Sequence, residues 1–76
     1  MVDMRRLVGR NFQRIRMARG LTQEQVAELS GFSQQYLSDL ERGLRNPTVV
    51  TVHELATALG VTHLDLLADD GLGERR

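Results

Sequence analysis

Apolar residues recur along this chain at helical intervals, and the residues between the runs are those that start and stop helices. From about Met4 to Arg19, Val8, Phe12 and Ile15 fall on one face of an α-helix, and Gly20 follows as a left-handed cap. Thr22 is a helix N-cap residue with Gln25 three positions on, the signature of a capping box. The helix it opens turns Val26, Ala27 and Leu29 inward and ends near Ser30, before Gly31. Ser33 caps a third helix, which runs to about Arg42, carries Leu37 and Leu40 at i, i+3, and stops at Gly43. Residues 43–47 form a loop, because Pro47 biases Asn46 away from helix. Thr48 or Thr51 opens a fourth helix, with Val49, Val52, Leu55, Ala56 and Leu59 as its stripe and Gly60 as its end. Thr62 with Asp65 opens a short fifth helix carrying Leu64 and Leu67. No segment alternates with the period of a strand. The pattern predicts a compact all-α domain of five helices over residues 1–68, followed by a polar tail over 69–76.

Composition narrows the chemistry. With 76 residues there is room for one small core, and domains of that size bury only about 60% of the surface their unfolded chains expose. The absence of cysteine excludes a disulfide framework and a thiolate metal site. No apolar run approaches the roughly 20 residues of a membrane helix, and MVDMRR has no apolar signal region, so a cytoplasmic protein without membrane partners is expected. His53 and His63 stand apart in sequence with no cysteine or clustered acid beside them, so no metal is expected. No catalytic constellation or phosphate-cradling loop is present, Phe32 and the Leu/Val stripes read as core, and neither an enzyme nor a cofactor is expected.

The formal net charge is zero, but it is unevenly spread. Residues 1–45 hold eight arginines against five acids, while residues 46–76 hold two against five. Every basic residue is arginine, whose planar fork suits phosphate and guanine, although a GC-rich genome would produce the same bias. Arg5, Arg6 and Arg10 fit either an arm over a nucleic-acid backbone or the solvated side of the first helix, and the second reading is favoured.

The stretch from Thr22 to Glu41, TQEQVAELSGFSQQYLSDLE, has the spacing of a helix-turn-helix. Ala27 is the small residue where two steeply crossed helices touch, Gly31 tolerates the positive φ of the tight turn, and Leu37 with Leu40 hold the second helix on the first. What stays exposed at the start of that helix is Ser33, Gln34, Gln35, Tyr36 and Ser38, which are hydrogen-bonding side chains in place of the usual Glu and Lys.

Together with RIRMARGLTQEQVAELSG at 14–31, SQQYLSDLERG at 33–43, NPT at 46–48 and LATALGV at 55–61, this stretch resembles the phage repressor and Cro-like helix-turn-helix proteins of the Xre family, from about Val8 to Leu67. The resemblance implies a lambda-repressor-like fold with a central helix-turn-helix, and double-stranded DNA as partner. It implies that Gln34 and Gln35 read base edges, with Ser38 and Asp39 beside them. A glutamine can pair bidentately with adenine, a contact worth about 1–3 kcal/mol of discrimination. It also implies that Gln23 and Thr22 at one helix N-terminus, Ser33 and Tyr36 at the next, and Arg42, Arg45 and Asn46 beyond it contact the DNA backbone, which fixes register without reading sequence. Arg16 and Glu41 are implied as a structural salt bridge, so Arg16 is not counted among the DNA contacts.

The function expected is sequence-specific transcription regulation by a homodimer on an inverted repeat with half-sites about 34 Å apart. Leu44, Val50, Leu66 and Leu72 are apolar residues left over for the dimer contact. Two alternatives use the same fold: an antitoxin with a toxin partner, or a restriction-modification controller. A third, of another class, is a protein-interaction module that has lost DNA, favoured by the neutral charge and by Asp39. The neutral charge carries a quantitative expectation. In binding titrations over a range of salt, the slope of log K against log salt should be shallower than for a strongly basic repressor, because each phosphate contact adds only about 0.9 to its magnitude.

Overall fold

Helix starts in this chain are made by side chains that accept from their own first turn. In the computed structural model, which describes residues 3–69, Asp3 accepts from the Arg5 N–H and opens α1, Met4–Ala18. Thr22 opens α2, Gln23–Ser30, with a complete capping box: its hydroxyl accepts from Gln25 N–H at 3.1 Å while the Gln25 side chain accepts from Thr22 N–H at 2.8 Å. Ser33 opens α3, Gln34–Glu41, by accepting from Tyr36 N–H. Of the two candidates for α4, Val49–Leu59, Thr48 is the cap, accepting from Thr51 N–H at 3.0 Å. At α5, His63–Leu67, the Asp65 carboxylate accepts from Thr62 N–H. The helix ends agree with the expected ones within a residue, Arg19 and Arg42 serving as C-caps. Among the described residues all regular structure is helical, and no helix is long and apolar enough to cross a membrane. The tail expected over 69–76, Asp69 excepted, and Leu72 with it, lies outside the described residues.

Helix α1 lies across α3 and α5, and α4 across α2 and α5. Val8, Phe12 and Ile15 of α1 form one core with Val26, Leu37, Leu40, Val52, Leu55, Ala56, Leu59 and Leu66, with Phe32 and Ala27 partly buried against it. Gly9 makes the approach of α1 to α3 possible, since a Cβ there would run into the Leu40 carbonyl oxygen. Glycine in mid-helix is destabilising by roughly 1 kcal/mol against alanine, and here the close approach explains its presence.

Four inward assignments are corrected. Leu29 is exposed, at the lip of a shallow depression against α4, because Val26 and Ala27 already fill the contact that the short α2 makes with the core. Val49 is exposed as the first residue of α4, ahead of the turn that reaches the core. Leu64 and Leu67 do share a face of α5, but it is the outer one, and the core residue is Leu66, whose burial removes it from the candidates for a dimer contact. A single helical turn has too little periodicity to say which side faces in. That is decided by Asn11 on α1, fully buried, whose Nδ2 donates to the carbonyls of Leu66 and Ala68 at 2.8 Å each while its Oδ1 accepts from Arg14.

Candidate nucleic-acid interface

The helix-turn-helix is assembled by its buried residues. Val26, Leu37 and Leu40 have no solvent exposure, and Gly31 turns the chain between α2 and α3 at φ +84°. A polar brace holds the assembly from the side. Arg16 donates from Nε and Nη2 to the two carboxylate oxygens of Glu41, at 2.6 and 3.1 Å, and from Nη1 to the Leu21 carbonyl at 2.7 Å. Both side chains are largely removed from water, 12% and 4% exposed. Gln23 at the start of α2 also joins this brace, its Nε2 donating to Glu41 at 3.0 Å. One proton of that amide is therefore committed to the protein, and among the described residues its other proton and its carbonyl oxygen take no side-chain partner.

Gln34 and Gln35 are exposed on the first turn of α3, and Gln34 takes part in no side-chain hydrogen bond within the described residues. Ser38 and Asp39 lie one turn on, half-buried. Asp39 is the hub of this face. It accepts from Gln35 Nε2 at 3.0 Å, from Arg42 Nη2 at 2.6 Å and, through its other oxygen, from Arg45 Nη2 at 3.4 Å. The hydrogen bond from Arg42 holds the Asp39 carboxyl below its ordinary range against partial burial, with Gln35 and the charges of both arginines adding to the effect, so it stays ionised at neutral pH.

Beside the hub, Phe32 and Tyr36 stack with ring centroids 5.1 Å apart, and the Arg45 guanidinium lies 5.2 Å from the Tyr36 centroid. Burial raises the Tyr36 pKa, with Arg45 opposing. Arg42 and Arg45 are themselves well exposed, as is Asn46. The hydroxyls of Thr22 and Ser33 accept as helix caps. Thus Gln34, Gln35, Ser38 and Asp39, with Tyr36, Arg42 and Arg45, come together around the start and outer face of α3, and Gln23 is tied to the far end of the same helix. Arg5 lies 3.8 Å from Asp3 at the start of α1.

Three features escaped the sequence reading. Asn11 lies at helical spacing from Leu7 and Ile15 on the apolar stripe of α1, and a polar residue in such a stripe was its signal. Gly9 within a helical run was another. The gathering of Gln35, Arg42 and Arg45 on Asp39 had a signal too, since 35 and 39 are i, i+4 and 39 and 42 are i, i+3 on one helix. His53 and His63 do approach each other, with ring centroids 5.9 Å apart, but among the described residues no third His, Cys, Asp or Glu completes a metal-binding group.

The comparisons with known proteins agree with this geometry. The helix-turn-helix family model HTH_3 matches residues 12–66. An HTH-type transcriptional regulator of Sinorhizobium fredii, y4dJ, is 67% identical over 66 residues, covering 87% of this chain and 86% of its own. The restriction-modification controller C.AhdI of Aeromonas hydrophila superposes with a TM-score of 0.78 at 39% identity, over 82% of this chain and 94% of the controller. A second controller, C.Esp1396I, whose tetramer has been solved on its natural 35 base-pair operator, superposes with a TM-score of 0.77 at 28% identity over 83% of each chain. That controller thus binds a double-stranded operator as an oligomer. With its helix-turn-helix matched in sequence and in three dimensions, the chain belongs to the HTH_3 helix-turn-helix family, of Xre-like kind, and is a DNA-binding transcriptional regulator.

Proposed function

We propose that this regulator reads a specific operator by laying α3 in the major groove, as one half of a two-fold dimer on an inverted repeat. Gln34 and Gln35 read base edges with Ser38 and Asp39 beside them. Thr22, Gln23, Ser33, Tyr36, Arg42, Arg45 and Asn46 meet the backbone. The observation that carries the reading is the exposed, amide-rich start of α3, with Gln34 uncommitted and Arg42 and Arg45 at its edge. For the dimer contact the described residues offer exposed Leu44 and Val50, and also Met4, Val49 and Leu67, which line an apolar cavity of about 140 Å³ shared by α1, α4 and α5. A chain that stays monomeric at high concentration by light scattering would exclude the dimer.

The likeness to two restriction-modification controllers supports a second reading, in which the chain regulates its own operon beside a restriction enzyme gene. The adjacent gene distinguishes this reading from an antitoxin, whose neighbour encodes a toxin.

The test is selection of bound sequences from a random double-stranded pool at moderate salt. An inverted repeat should be enriched, and Gln34→Ala and Gln35→Ala should each blur defined base positions, weakening the selected site by about 1–3 kcal/mol per lost base contact. Folded protein that enriches nothing would move the assignment to a protein-interaction module or to a chain that binds DNA only with its partner.

A further inference from the structure

The reading face carries one acid among its cations, and that acid is fully engaged. Asp39 lies on the same outer face of α3 as Gln35, where a bound duplex would bring phosphates close. Its oxygens are occupied by Gln35, Arg42 and Arg45. A carboxylate held between two guanidinium groups is in the situation of a DNA phosphate. We propose that Asp39 is an internal stand-in for phosphate, one that keeps Arg42 and Arg45 off non-target DNA and releases them where the operator offers its carboxylate another donor. The inference rests on the DNA-reading role of α3 proposed above, and it gives that site a means of discrimination.

The physical argument concerns which complex loses more. Non-specific binding is made of phosphate contacts alone. On such DNA each arginine that turns to a phosphate leaves Asp39 with fewer donors, and the carboxylate itself repels the backbone. On the target, a base-edge amino group, such as cytosine N4, replaces the arginines as donor to Asp39. The arginines then reach phosphate without stranding the acid. The penalty therefore falls mainly on the wrong DNA, which is discrimination by a repulsive element. It also gives a reason for an acid to sit among the exposed cations of this face.

Asp39→Asn keeps the shape and removes the charge. Wild type and variant are titrated on the selected operator and on a scrambled duplex over a range of salt. Affinity for the scrambled duplex should rise about tenfold, and its salt slope should steepen by about 1–2 per subunit as the two arginines become free for phosphate. Operator affinity should rise much less, so that the ratio of the two falls. In an Arg42→Gln, Arg45→Gln background the same Asp39→Asn change should have little effect on the scrambled duplex. Equal gains on both duplexes, no gain on either, or a gain that survives loss of the arginines would each overturn the proposal. Thermal melting of each variant shows that the domain is folded, as Asp39 lies outside the core. A wild type without preference for any duplex is a failure of the DNA-reading role itself. A discriminating wild type beside an equally discriminating Asp39→Asn is a failure of this inference alone.

Discussion

Glu41→Ala is expected to lower the unfolding free energy by about 3–5 kcal/mol, the range for removing one partner of a buried ion pair. The carboxylate accepts two bonds from Arg16 and one from Gln23. Without it, the Arg16 guanidinium keeps only the Leu21 carbonyl among its present partners and stays largely out of water. Exposed pairs are worth only about 0–1 kcal/mol, and burial is what separates this pair from Arg5–Asp3 at the surface. For a domain of this size the loss is a large share of the total, since small proteins have only about 5–15 kcal/mol in all. Replacing both partners by apolar residues of similar volume, as in Arg16→Met with Glu41→Leu, should cost less than the single change, because no buried charge is stranded. Urea denaturation followed by circular dichroism measures both. A Glu41→Ala loss under about 1 kcal/mol would refute the account of the brace.

The second large effect is expected at Asn11. Asn11→Leu keeps the approximate volume and removes the donor, leaving the Leu66 and Ala68 carbonyls without it. A buried acceptor left unpaired costs about 1–3 kcal/mol, so about 2–6 kcal/mol is expected for the two, less whatever water recovers at the part-buried Ala68. The loss should be local in character. In native-state hydrogen exchange, amides of α5 should lose protection well before those of α2 and α3, because the lost bonds are the ones that dock α5 on α1. Uniform loss across all five helices would show that Asn11 supports the core as a whole.

Helix limits and caps were legible in the sequence because each rests on local chemistry: Thr22 with Gln25, Ser33, Gly31, and Pro47 ahead of Thr48. The central stripes were legible because α1 and α4 are long enough for the 3.6-residue period to define a face. The pattern misled in short pieces. Five residues of α5 cannot specify their inner side: the spacing points Leu64 and Leu67 inward, whereas the structure buries Leu66, whose carbonyl accepts from Asn11, 55 residues away. At the candidate site, the residues around the start of α3 follow from motif spacing. Their mutual engagement does not, since whether Asp39 faces a base or holds Arg42 and Arg45 depends on side-chain geometry that the order of residues leaves open.

The stack of Phe32, Tyr36 and Arg45 has a practical consequence. The chain contains one tyrosine and no tryptophan. Excited at wavelengths that its two phenylalanines do not absorb, its intrinsic emission therefore originates at one point, on the helix proposed to enter the groove and beneath a guanidinium proposed to leave for phosphate. The protein carries its own label at that spot, with no second emitter to dilute the signal. During unfolding the same emission follows the helix-turn-helix alone, while far-ultraviolet circular dichroism sums over all the helices. The separation between the two curves measures how far the first and last helices part before the centre gives way.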